Sequence, residues 1–208
     1  MKKDLEIIIF LGAIWGIIEA TLGYLLHATS FAVGGSILFP IGFYIMKKAY
    51  NASGNLKTIF LTSVVASLIK LVDLAMPVTT IYKVINPAIS ILFEGLIVLA
   101  VYYVIQNKEK FSKYKSLQAL ALGLGWRTMY LAYLLFLPAN IIKVSPIGSS
   151  PAFFKFLVIE GLINSAIIYL YLKFAQTKSQ EKPQYNFHLS PSLAFLLLFA
   201  AIFIQIKI

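Results

Sequence analysis

The sequence contains no cysteine, which removes disulfides, thiolate metal sites and cysteine nucleophiles together. Its two histidines, His27 and His188, lie far apart in the chain, so no His-Glu-x-x-His metal site is present. Neither a Gly-x-Ser-x-Gly elbow nor a phosphate-cradling glycine loop occurs. No catalytic constellation remains, and any ATP-driven process needs a partner chain. Charge is also scarce, at 12% of the 208 residues, where an ordinary soluble domain carries about 25%. An ordinary soluble enzyme, a disordered chain and a small disulfide scaffold are thereby excluded. What fills the sequence is apolar, 60% of it, and that composition defines an all-α, polytopic transmembrane helix bundle.

A spanning helix needs about 20 mostly apolar residues. Seven runs qualify as candidates: about 5–27, 31–46, 57–76, 87–106, 116–137, 151–175 and 191 to the C-terminus. The second is short and holds Gly34, Gly35, Pro40 and Gly42. Pro87, Pro151 and Pro191 are placed at helix starts, where a missing N–H costs nothing. The first run is too long for a cleavable signal, contains Glu19 and lacks a small-residue cleavage pattern. The loops are short, so residues 1–208 read as one integral membrane domain with a six-helix core and a C-terminal seventh helix.

Basic residues set the orientation. With the N-terminus in the cytoplasm, twelve lysines fall inside, at positions 2, 3, 47, 48, 57, 108, 110, 113, 115, 173, 178 and 182. Four fall outside or at outer helix mouths, Lys83, Lys143, Lys155 and Lys207. This bias follows the positive-inside rule. The net charge of +10 therefore reflects membrane orientation and anionic lipid at the inner face rather than nucleic-acid binding. The outer segments, about 77–86 and 138–150, mix prolines with apolar residues and read either as a lid or as plain connectors.

Two segments echo one another: Asn86-Pro87-Ala88 followed by Phe93-Glu94-Gly95-Leu96-Ile97, and Ser150-Pro151-Ala152 followed by Ile159-Glu160-Gly161-Leu162-Ile163. Internal repeats are common in transporter folds, with the binding site where the repeats meet.

Six ionisable groups fall inside spans: Glu19, Lys70, Asp73, Glu94, Arg127 and Glu160. Each costs roughly 2.5–3.5 kcal/mol at mid-membrane, so the set must pair, face water or be neutral. In the orientation above all six fall in the outer half of the bilayer, which a shared pocket opening outward would produce. Polar stripes agree: Glu19 lies on the Gly12–Gly16–Gly23 face of the first helix, Lys70 on the Ser63–Ser67 face of the third. Asn86, Ser90 and Glu94 recur every turn of the fourth, Gly123, Arg127 and Tyr130 share a face of the fifth, and Glu160 and Asn164 are one turn apart on the sixth. A plainer reading remains beside this one, in which Lys70 neutralises Asp73 and Arg127 is locked to Glu94 or Glu160. Four acids against two bases leave two negative charges, which call for protons, a metal ion or a cationic substrate.

The architecture resembles the substrate-binding S component of energy-coupling factor (ECF) transporters: a compact membrane protein of this length, about six helices, no nucleotide motif and an outward polar pocket. Gly12-x-x-x-Gly16-x-x-x-Ala20 resembles the small-residue stripe by which that family docks on its coupling protein. The resemblance implies a vitamin- or micronutrient-like ligand bound from outside, a transmembrane coupling subunit and two ATPases as partners, and no resident cofactor. The seventh helix departs from the family's usual six. The expected site comprises Glu19, Lys70, Asp73, Glu94, Trp126, Arg127, Tyr130, Glu160 and Asn164. The glutamates would receive a cationic or hydrogen-bonding molecule, Arg127 and Lys70 would orient them or hold an anionic group, and Trp126 and Tyr130 would stack on a ring. Other readings are a proton- or cation-coupled transporter or channel, a metal-dependent intramembrane enzyme using a carboxylate pair, and a structural membrane subunit.

Overall fold

The computed structural model describes residues 2–28, 34–77, 80–177 and 190–207. Among them there is no strand. The helices are α1 (Lys2–Ala28), α2 (Gly34–Ser53), α3 (Lys57–Leu71), α4 (Tyr82–Asn107), α5 (Glu109–Lys113), α6 (Lys115–Leu134), α7 (Ala139–Lys143), α8 (Ser150–Phe154), α9 (Glu160–Thr177) and α10 (Pro191–Lys207). A 3-10 turn (Val72–Ala75) continues α3, and a π-turn (Lys155–Ile159) joins α8 to α9. Each of the seven expected apolar runs contains a helix among the described residues. Four helical stretches are long and apolar enough to cross a membrane: Lys3–Leu26, Lys57–Ala75, Tyr82–Asn107 and Ser150–Phe174; Pro191–Lys207 is apolar but shorter. Helices α2 and α6 fall outside that group. Pro40 and two lysines weaken α2, and Arg127, Gln118 and two glycines weaken α6.

Several ends follow local chemistry. Pro151 and Pro191 do open helices, each behind a serine whose Oγ accepts a first-turn N–H: Ser149 from Ala152 and Ser190 from Leu193, both at 3.3 Å. Pro87 does not. Helix α4 begins at Tyr82, so Pro87 lies inside it, because the amides of Lys83, Val84 and Ile85 already bond to Thr80 and Ile81 carbonyls. Those bonds nucleate the turn upstream and shorten the outer segment expected at 77–86. Helix α2 also runs past the expected end at residue 46, to Ser53. It stops at Gly54, whose φ of +71° is a left-handed conformation that glycine adopts without cost.

The chain divides into two compact units, residues 1–99 with 183–208, and residues 100–182. In the first unit α1 is central and packs against α2, α3 and α10. Ala13, Ile69 and Ala201 form a core with Ile17, Val65, Leu197 and Leu198 around it. Close approach depends on small residues. A Cβ on Gly42 would stand 2.5 Å from the fully buried Trp15 ring, and Cβ atoms on Gly12 and Gly16 would stand 2.6 Å from Val65 and Ile69. The Gly12–Gly16–Ala20 stripe expected to dock a partner is therefore used within the chain: both glycines are buried against α3 and Ala20 is buried as well. The sequence pattern marked a contact surface correctly, but the surface it meets is α3.

Helices α3 and α4 are antiparallel, with Ser63 set against Gly95 and Ser67 Oγ donating to the Ala88 carbonyl at 2.9 Å. Ser63 Oγ donates to Phe60 O and Thr62 Oγ1 to Thr58 O, both at 2.7 Å. These buried hydroxyls are thus satisfied by backbone. In the second unit α6 and α9 are antiparallel. Gly123 meets Ser165 and the Gly161 carbonyl, and Lys115 Nζ reaches the Leu172 carbonyl at 3.3 Å. Segment 138–150, one of the two candidate lids, contains the short helix α7.

Candidate functional site

The expected site residues fall into two clusters and one further position. In the first unit, the last third of α1, the end of α3 with its 3-10 turn, the start of α4 and the end of α10 surround a cavity of about 600 Å³. Glu19, Lys70 and Asp73 line it, together with Lys83, Gln205 and Lys207. That volume lies within the ~300–1,000 Å³ typical of small-molecule sites. Buried Ala20, Gly23, Leu38 and Gln205 contribute to the wall, and Tyr24, Met76, Pro77, Lys83, Ile206 and Lys207 are exposed around it.

Local geometry arranges the charges. The 3-10 turn brings Asp73 Oδ2 to 2.8 Å from Lys70 Nζ, with both side chains about one-fifth exposed, at 22% and 19%. Asp73 Oδ1 accepts from Gln205 Nε2 at 2.7 Å, across 132 residues of chain. Glu19 Oε1 accepts from Trp15 Nε1 at 3.1 Å, one turn earlier on α1. Trp15 thus holds a carboxylate with its ring nitrogen while its ring fills the space opened by Gly42. Lys207 Nζ lies 5.8 Å above the Phe203 ring. Among the described residues the lining therefore holds three lysines against two carboxylates. The negative surplus expected from the span-resident charges is reversed at this cavity, because Lys83 and Lys207 join it.

In the second unit Arg127 is fully buried and makes four hydrogen bonds. Its Nη1 donates to Glu160 Oε2 at 2.9 Å and to the Phe156 carbonyl at 3.0 Å. Its Nε and Nη2 donate to Asn164 Oδ1 at 3.2 and 3.0 Å. The guanidinium carbon stands 4.5 Å from the centres of both the Trp126 and Phe156 rings. The π-turn matters here: the Glu160 amide bonds to the Lys155 carbonyl and so passes over Phe156, whose carbonyl faces Arg127. Of the two carboxylate partners open to Arg127 in the sequence, Glu160 is the one it meets.

Trp126 and Tyr130, expected to stack on a ligand, instead pack with the unit's own side chains. Phe156 lies 5.8 Å from Trp126 and 5.7 Å from Tyr130, centroid to centroid. Trp126 is buried against the arginine and Phe156, whereas Tyr130 is half-buried. Glu94, 4% exposed, lies outside the cavity lining, and Ser90 Oγ is 3.5 Å from its Oε1. The two echoed Glu-Gly pairs share one property: Gly95 and Gly161 both admit a neighbouring helix, α3 and α6 respectively. Among the described residues no group of three or more metal-ligating side chains forms. The His27 side chain and His188 lie outside the described residues.

Three cavity residues, Lys83, Gln205 and Lys207, were not on the expected list. Lys83 and Lys207 carried a signal as outer lysines at helix mouths, whereas Gln205 carried none. No protein family, curated protein or solved structure matches the chain.

Proposed function

We propose that this chain is a multi-pass membrane protein that binds a small molecule from outside the cell and serves as the substrate-binding subunit of an uptake transporter. In this reading it acts like the S component of an ECF transporter, by binding without chemistry. The observation that carries the proposal is the cavity of about 600 Å³ walled by Glu19, Lys70, Asp73, Lys83, Gln205 and Lys207. Ionisable side chains inside a membrane segment are expensive and mark ligand paths or pairs. Among the described residues, Lys70 and Asp73 form the one ion pair of the lining. Lysine bias places this end of the first unit outside. Coupling then falls to a membrane subunit and ATPases, which dock on a face other than Gly12 and Gly16.

Native mass spectrometry of the tagged protein, gently extracted from its own membranes, tests the proposal. Co-purified ATPases and a second membrane subunit are expected. A lone chain or homo-oligomer, under conditions that preserve known transporter complexes, overturns the coupled-uptake reading.

A further inference from the structure

The chemistry of the cavity defines its ligand more narrowly, and this step rests on the binding function proposed above. Gln205 is 6% exposed, and its amide orientation is fixed because Nε2 must face the Asp73 carboxylate. Its Oε1 is then left as a buried acceptor with no hydrogen-bond partner among the described residues. That oxygen is closed off from the cavity, so Gln205 contributes by holding Asp73 at the wall. The cavity also holds two exposed ammonium groups, Lys83 and Lys207, neither with a carboxylate partner among the described residues. Lys70 is the opposite case, already engaged by Asp73 at 2.8 Å. We infer that the cavity takes a small molecule bearing an acidic group, held by Lys83 and Lys207, together with an N–H or O–H donor that meets the Glu19 and Asp73 carboxylates. Glu19 and Asp73 favour an ammonium as that donor, so an amino acid-like zwitterion fits best, in place of the plain cation expected from the span-resident charges. The acidic group can belong to a soluble molecule or to a lipid headgroup that also carries an amine.

The experiment uses the full chain in discs of neutral, amine-free lipid. Binding is read as thermal stabilisation by a matched probe set: amino acids, the amines lacking their carboxylate, and the acids lacking their amine. Preference for one or more amino acids by about tenfold over either partner set is expected, since each charge-assisted contact is worth roughly that factor. Lys83→Gln with Lys207→Gln should weaken that binding about tenfold, and Gln205→Leu should weaken it with the unliganded melting temperature recorded alongside. The lysine pair is exposed, so those variants fold and decide the matter even where Gln205→Leu does not. Adding phosphatidylethanolamine to the disc distinguishes the sources. Competition with the amino acid, or stabilisation lost in the lysine variant, assigns the acidic group to a lipid. Preference for the amines overturns the inference and leaves small-molecule binding standing. No stabilisation by any probe or by the lipid overturns both.

Discussion

Arg127 and Lys70 are both basic residues that the sequence places inside apolar helices, and the structure treats them differently. Arg127 directs four hydrogen bonds at Glu160, Asn164 and a backbone carbonyl, between two aromatic rings. Lys70 has one carboxylate partner and borders a cavity. The difference shows that an intramembrane charge alone does not mark a binding site. A guanidinium can be satisfied completely by protein groups, and then it joins helices. A charge that keeps part of its shell for a cavity is available to something else.

Substitutions at three levels of burial sharpen this contrast. Arg127→Met should cost about 3–5 kcal/mol of stability, because it strands the Glu160 carboxylate in an apolar interior. Thermal unfolding in detergent measures the loss, and Arg127→Met combined with Glu160→Gln should recover part of it. A loss under ~1 kcal/mol would mean the cluster is not closed. Asp73→Asn comes next. Its pair with Lys70 is partly solvated, so stability should fall by no more than about 1 kcal/mol. Ligand binding should weaken more than stability, since Lys70 and Gln205 lose their common partner. An unfolding cost like that of Arg127 would make the two clusters equivalent and break the comparison. Lys113→Ala should be the mildest. Its bridge to Glu109 at 2.7 Å joins side chains that are 70% and 84% exposed, and such i,i+4 pairs contribute about 0.5 kcal/mol or less.

The sequence was most legible where contacts are local. The i, i+3 spacing of Lys70 and Asp73 foretold their bridge, and one turn between Glu160 and Asn164 foretold a shared face toward Arg127. Proline in the first turn marked two helix starts for the same reason, since its missing N–H matters only within that turn. Pro87 misled because proline tolerates a place inside a helix whose first turn is already nucleated. The glycine stripe on α1 identified a close contact but not its owner, because small residues admit any neighbour equally. Gln205 was invisible: its meeting with Asp73 spans 132 residues, and a lone glutamine in an apolar helix carries no spacing to read. That one contact also brings the last helix, the apparent surplus over a six-helix core, into the cavity wall.

The π-turn at Lys155–Ile159 makes the chain's length, and not only its composition, part of the second unit. A widened turn holds one residue more than the regular ladder would. Removing a single residue there would let the ladder close through the Phe156 carbonyl and take it away from Arg127, while Glu160 and Asn164 keep nearly their phase, since the wide turn covers about the angle of a regular one. Exposed positions such as Leu162 and Leu170, open by about half, accept many apolar side chains without touching that bond. A deletion between residues 160 and 164 has no wide turn to absorb it and would swing Asn164 by about 100° around the helix axis.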